Sequence, residues 1–233
     1  VMGVPGLQKI REHTRINERV AAWMREHRPA VHVPVDSPGA NFPLCRIAKR
    51  QGVKVVHLVA PQIWAWGRWR IGKLRRRTDL VLCLLPFEES FFRKRHVPAR
   101  FIGHPLFDAP VQETELDQRA AKYGGGSPRI AIMPGSRPKE LFYSLPLVLD
   151  AFRMLKAAYP DAAGVVAATT PSIAQHICDT AERLGGWPTG LRVEAQDADG
   201  IIRWCDLALV KSGTITLQIT RQRKPMVVFY KGS

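Results

Sequence analysis

Asp36 closes the apolar run at residues 31–35 and leads into Ser37-Pro38-Gly39-Ala40-Asn41, a turn followed by the start of a helix. A carboxylate at the end of a buried strand sits where a cleft would open, and partial desolvation there would tune it to accept a proton. The same stretch also reads as a helix N-cap, which Ser37 or Asn41 would supply. A second strand end, Ile130-Ala131-Ile132-Met133-Pro134-Gly135-Ser136-Arg137, runs into Pro138-Lys139-Glu140-Leu141. Gly135 lets the backbone come close to a ligand, the helix start presents N–H groups and partial positive charge, and Arg137 adds a planar fork suited to phosphate oxygens. A third, Leu207-Ala208-Leu209-Val210-Lys211-Ser212-Gly213-Thr214, continues to Gln218. Its Ser212 and Thr214 hydroxyls flank Gly213 and can bond phosphate. Plain strand-to-helix turns are the alternative for each, but two such turns in one domain point to a ligand with a diphosphate. Neither matches the G-x-x-x-x-G-K-[ST] loop or a complete G-x-G-x-x-G fingerprint, which disfavours ATPase and dinucleotide readings.

A different chemistry is written at Ala60-Pro61-Gln62-Ile63-Trp64-Ala65-Trp66-Gly67-Arg68-Trp69-Arg70. Three Trp residues fall within six positions, and six of the ten residues 68–77 are basic. Trp beside Arg suits a boundary between apolar and anionic surroundings, such as lipid headgroups, and also suits nucleic acid. Trp in a core beside a solvated basic helix is the plainer reading. No RNP, zinc-finger or helix-turn-helix pattern supports nucleic acid. His96 and His104 are eight residues apart with no clustered carboxylates, so no metal site is expected. His104, in Ile102-Gly103-His104-Pro105, falls at a strand end where it would touch substrate or simply pack.

These residues need elements to hold them. Short apolar runs alternate with helical stretches. Strands are predicted at 31–35, 53–60, 80–85, 130–133, 164–168, 191–193, 206–210 and 226–229, and helices around 6–27, 41–51, 68–77, 87–95, 139–158, 172–185 and 214–223. Continuous apolar strands separated by helices indicate parallel sheets covered on both faces. The fold class is α/β, with two Rossmann-like domains whose sheets face a cleft. The first domain spans 1–108 and the second 129–233, both incomplete, with a linker at 109–128 that ends in Gly124-Gly125-Gly126-Ser127-Pro128. Charge changes at the same place: residues 1–100 carry 20 Lys and Arg against 7 Asp and Glu, whereas residues 101–233 carry 15 against 13. The first half therefore calls for an anionic partner. The apolar runs are far below the roughly 20 residues of a spanning helix. Four scattered cysteines in 233 residues argue against a secreted disulfide scaffold. The chain reads as an internal piece of a longer cytosolic or peripheral protein.

Taken in order, the motifs V-D-S-P-x-x-N, A-P-Q-I-W-A-W with its basic helix, L-P-F-E (85–88), F-I-G-H-P-L (101–106), P-G-S-R (134–137) and S-G-T (212–214) resemble the lipid-A-disaccharide synthase family. The resemblance runs over about residues 1–231. It implies a GT-B-type inverting enzyme of glycosyltransferase family 19 that joins UDP-2,3-diacylglucosamine to 2,3-diacylglucosamine 1-phosphate. UDP is released, no metal or other cofactor is used, and the enzyme lies peripherally on the cytoplasmic side of the inner membrane. Carried over by position, Asp36 matches the family's general base and Arg137 the motif arginine near the UDP diphosphate. Gly135, Ser136, Glu140, Ser212, Gly213, Thr214 and Gln218 would line the nucleotide pocket. Asn41, Trp64, Trp66 and His104 would lie towards the acceptor, its acyl chains or the membrane.

The chain also departs from the family pattern. Gly39 stands where a second Asp is common, leaving Asp36 as the one carboxylate of its motif. Gln218 replaces a Glu expected to hold ribose hydroxyls, so weaker nucleotide binding is expected. The family's N-terminal Gly-rich turn and its C-terminal V-P-E-L region are not in this sequence. Two alternatives stand beside this reading: another GT-B glycosyltransferase or epimerase using UDP-N-acetylhexosamine, and a non-catalytic basic module for lipid or nucleic acid. For the leading reading no nucleic-acid partner is expected.

Overall fold

The structure is a computed structural model that describes residues 7–108 and 110–230. The chain divides into two compact units, Val1–Asp108 and Ala109–Ser233.

In the first unit, helix α1 (Leu7–His27) precedes β1 (Val31–His32), α2 (Pro38–Arg50), β2 (Lys54–Leu58), a short 3-10 turn (Arg68–Arg70), α3 (Ile71–Arg77), β3 (Leu80–Cys83), α4 (Pro86–Arg93) and β4 (Ala99–Phe101). The strands form a parallel sheet in the order β1-β2-β3-β4. Residue 6 of the expected first helix lies outside the described residues. The expected strand at 31–35 shortens to two residues, because Pro34 cannot donate to the ladder. Val35 makes only an isolated bridge to Leu58. The expectation of sheets covered on both faces also needs correction here. Val55, His57, Val81 and Cys83 are buried, their neighbours in β2 and β3 are not fully so, and Val31, Val33 and Val35 are exposed. Phe42, Leu74 and Phe92, from α2, α3 and α4, fill the covered side.

His57 is fully buried in that core with the Phe42 ring edge-on, and neither ring nitrogen has a hydrogen-bond partner among the described residues. Burial lowers its pKa below 6.5, against the opposing pull of the Leu58 and Val59 backbone and the Asp36 carboxylate. Burial lowers that of His32 as well. Both folded-state values are depressed, so the unfolded chain binds more protons once the pH falls below the ordinary histidine value of 6.5. Stability of the first unit is therefore full above about pH 6.5 and falls on acidification. Urea titrations at pH 7.5 and pH 5.5 should show a lower midpoint at the acid pH. His57→Phe should shrink that difference, leaving the part owed to His32.

The second unit begins with α5 (Glu113–Ala121), then β5 (Arg129–Met133), α6 (Pro138–Ala158), β6 (Ala163–Ala168), α7 (Pro171–Arg183), β7 (Leu191–Ala195), α8 (Ala198–Trp204), β8 (Leu207–Lys211), α9 (Ile215–Arg221) and β9 (Met226–Phe229). Its parallel sheet runs β7-β6-β5-β8-β9. Alternate residues of the central strand β5 enter two cores. Ile130 and Ile132 pack with Leu141, Leu145, Val148 and Phe152 of α6, while Ala131 and Met133 pack with Ile201, Ile202 and Ile219 of α8 and α9. The sheet is thus doubly wound. From β5 the chain runs outward to β6 and β7, then returns to place β8 on the other side of β5. That reversal opens a crevice at the carboxyl ends of β5 and β8.

Within the stretch read as a linker, Glu113–Ala121 form α5, and residue 109 lies outside the described residues. The helix is docked by Asp197, a buried carboxylate just before α8. Arg119, Lys122 and the Tyr123 hydroxyl all donate to it, and Trp204 Nε1 donates to the Gly124 carbonyl at 2.8 Å. Burial raises the Asp197 pKa, but these donors outweigh it and the net shift is downward. Gly200 is required beneath them, since a Cβ there would lie 2.6 Å from an Asp197 oxygen.

Candidate functional site

The turn after β5 and the turn after β8 line one cavity of about 570 Å³ in the second unit, within the usual size range of small-ligand pockets. Gly135, Ser136, Arg137 and Glu140 come from the first turn, and Ser212, Gly213, Thr214 and Gln218 from the second. All eight pocket residues picked from the sequence for this half are therefore brought together. Thr169, Gln196, Asp199 and Arg119 join them from the ends of β6 and β7 and from α8 and α5.

Gly135 has φ +123, a conformation that L side chains rarely adopt. Beneath it sits the Glu140 carboxylate. A Cβ at Gly135 would meet Glu140 Oε2 at 2.9 Å and Lys211 Cδ at 3.3 Å, so the glycine is set by a close approach as well as by its backbone. The Ser136 N–H donates to Glu140 Oε2 at 3.1 Å, and Arg137 donates to Oε1 at 3.1 Å. Burial pushes the Glu140 pKa up, yet the Ser136 N–H, Lys211 and Arg137 together bring it below the usual carboxylate value. Pro138 sits at the first helical position, where its missing N–H costs no bond. Ser144, buried nearly two turns into α6, bonds back to the Pro134 carbonyl and fixes the turn against the helix. Across the cavity Thr216 Oγ1 donates to the Gly213 carbonyl at 2.8 Å. Arg119 is engaged by Asp197 and Glu115.

Lys211, like Thr169, Gln196, Asp199 and Arg119, lines the pocket without belonging to any of the motifs picked from the sequence. Its signal was a lone charge closing the run Leu207-Ala208-Leu209-Val210, at the carboxyl end of a strand beside the crevice.

In the first unit, the Asp36 turn is held by its backbone. Asp36 N–H donates to Leu58 O at 2.9 Å, and Leu58 N–H donates to Pro34 O at 2.9 Å. Asp36 and Ser37 both lie at positive φ, +47 and +37. Asp tolerates this region, and Pro38 pushes Ser37 away from ordinary helical geometry. Two consecutive left-handed residues other than Gly store strain, which gathers at functional turns. The expectation of a desolvated Asp36 is corrected. The residue is exposed, and its carboxylate makes no hydrogen bond among the described residues, because the strand that was to bury it ends early.

Asn41 is not the N-cap, nor does Ser37 cap through its side chain. Instead Asn41 Nδ2 donates to the carbonyls of Val35 and Asp36, both at 2.8 Å, and so clamps the turn that presents Asp36. His104 Nδ1 accepts the Leu106 N–H at 3.1 Å and its ring meets Phe107.

The Trp cluster separates into two parts. Trp64 is half-buried: its Nε1 donates to the buried Glu88 at 2.9 Å and its ring packs edge-on against Phe87. Trp66 and Trp69 are 52% and 75% exposed, with Arg70 stacked 4.5 Å above the Trp66 ring. No helix among the described residues is long and apolar enough to cross a membrane, and no cluster of three metal-ligating side chains occurs among them.

A doubly wound parallel α/β unit and a second parallel α/β unit in one chain define the GT-B fold class. A solved structure with this architecture is the UDP-GlcNAc 2-epimerase from Neisseria meningitidis bound to UDP-GlcNAc. It is 14% identical with a TM-score of 0.59, over 98% of this chain and 66% of that one. The sequence profile described as lipid-A-disaccharide synthetase matches residues 1–233, so the chain belongs to that family. Among curated relatives, the lipid-A-disaccharide synthase of Anaeromyxobacter dehalogenans is 38% identical over 99% of this chain, and that of Trichlorobacter lovleyi 33% over 99%. The chain spans about 60% of the length of these relatives.

Proposed function

We propose that the protein to which this chain belongs is an inverting glycosyltransferase of lipid A biosynthesis. It condenses UDP-2,3-diacylglucosamine with 2,3-diacylglucosamine 1-phosphate to give the lipid A disaccharide 1-phosphate and UDP. The observation that carries the reading is the convergence of the Gly135–Arg137 and Ser212–Thr214 turns on one cavity at the switch point of the second sheet, in a chain of this family. The cavity takes the UDP moiety, with the diphosphate against Arg137 and the two small-residue turns and the nucleoside towards Gln218.

Asp36 acts as general base. It takes the proton of the acceptor 6-hydroxyl as that oxygen forms its bond to the anomeric carbon. The bond from that carbon to the diphosphate breaks on the opposite face, and UDP departs with the electron pair. An exposed carboxylate on a strained, clamped turn is open to a substrate hydroxyl, and Arg137 offsets the charge that grows on the leaving diphosphate. In this scheme no metal ion or other cofactor takes part.

The exposed Trp66, Trp69 and Arg70, on the half with a large basic excess, support peripheral attachment to the anionic cytoplasmic face of the inner membrane. Trp64 and His104, engaged within the unit, act through the shape of that surface.

Donor choice tests the reading. The full-length protein should release UDP from the acylated donor in preference to UDP-glucosamine or UDP-N-acetylglucosamine. A preference for an unacylated donor would assign it to another UDP-sugar reaction.

A further inference from the structure

We propose that Lys211 is a ligand-binding residue of the second unit's cavity, supplying its ammonium to the phosphate oxygens of a nucleoside diphosphate. The proposal rests on the nucleotide reading of the cavity given above and adds the residue that selects the charge of its occupant.

Lys211 ends β8, one residue before the Ser212-Gly213-Thr214 turn, and lines the cavity with a side chain only 13% exposed. Its charged partner is Glu140, with Nζ 3.8 Å from Oε1, and the Tyr230 ring lies 6.0 Å away. Neither is a hydrogen bond, and the ammonium makes none among the described residues. An ammonium carries three donors, and with none of them bonded to the described residues they face the cavity and are open to an acceptor that enters it.

The neighbouring charges identify that acceptor. Glu140 is already shared by Arg137 and the Ser136 N–H, and Arg119 is spent on Asp197 and Glu115. Asp199, the other carboxylate lining the cavity, accepts from Gln222 at 3.2 Å. Around Gly135, two cations therefore face one carboxylate. The excess is one positive charge, and phosphate oxygens set between Lys211, Arg137 and the Ser212 and Thr214 hydroxyls would meet it. Glu140 holds the Lys211 side chain at that place while the cavity is empty.

The test compares ligands that differ only in phosphate. Binding of UDP and of uridine to the full-length protein would be measured by calorimetry or ligand-observed NMR for the wild type, Lys211→Met and Lys211→Arg. Melting temperatures would be followed alongside. Lys211→Met should weaken UDP at least tenfold and uridine less than twofold, and Lys211→Arg should restore most of the UDP affinity. Should Lys211→Met unfold, Lys211→Gln, which keeps a polar end, provides the same comparison. Equal UDP affinity in wild type and Lys211→Met, or an equal loss for UDP and uridine, overturns the proposal while the nucleotide reading stands. A wild-type protein that binds neither ligand overturns the nucleotide reading itself.

Discussion

Asp36→Asn in the full-length protein is expected to lower kcat by roughly 10²–10⁴-fold, the range that a positioned general base contributes. Its fold and its affinity for UDP should not change. The expectation is sharp because the turn does not depend on the Asp36 side chain. The Asp36 N–H and the two carbonyls clamped by Asn41 carry the turn, and the carboxylate oxygens make no hydrogen bond among the described residues. Asn is the same size and also tolerates the φ of +47 found here. The substitution thus removes basicity while leaving strain and packing alone. Steady-state kinetics with melting curves checks it. Full turnover would end the general-base role, and a collapsed melting temperature would mean that the carboxylate is structural.

Arg137→Ala carries the second large effect, a fall in kcat of roughly 10²–10³-fold, as for loss of one donor to developing charge. Arg137 stands just before α6 with its side chain 78% exposed, so its removal costs little packing. It also releases Glu140 Oε1, which then keeps Lys211 as its charged partner. The loss should therefore appear in turnover and UDP affinity rather than in stability. Arg137→Lys keeps the charge but not the planar fork and should recover only part of the activity. Single-turnover rates beside UDP affinities separate the two. Unchanged turnover with weakened UDP would place Arg137 in ground-state binding alone.

How much of this could be read from residues alone depended on what each element buries. The strands β5 and β6 are buried on both faces and so appear as unbroken apolar runs, and the edge strand β9, half exposed, is found where the pattern placed it. β4 escaped notice, being three residues with two of them exposed. Helix α5 was hidden because it is short and acidic, with Pro before it and a glycine run after it, and its anchor Asp197 lies 78 residues from Arg119. Helix α8 is seven residues long with a glycine inside it, too brief to show a period. At the site, the turns were legible because Gly, Ser, Thr and Arg clustered at strand ends. The role of Asn41 was not, because it is defined by carbonyls that only the folded turn presents. Lys211 was overlooked for a related reason: burial and the distance to Glu140 make it distinctive, and neither is written in a four-residue neighbourhood.

The most direct test of the central claim is UDP release by the full-length protein, given UDP-2,3-diacylglucosamine and 2,3-diacylglucosamine 1-phosphate with a metal chelator present. Disaccharide product should form together with UDP, and Asp36→Asn should slow both by roughly 10²–10⁴-fold while still binding UDP. A folded, UDP-binding wild-type protein that forms no disaccharide from this pair, but turns over an unacylated UDP-sugar, would contradict the account.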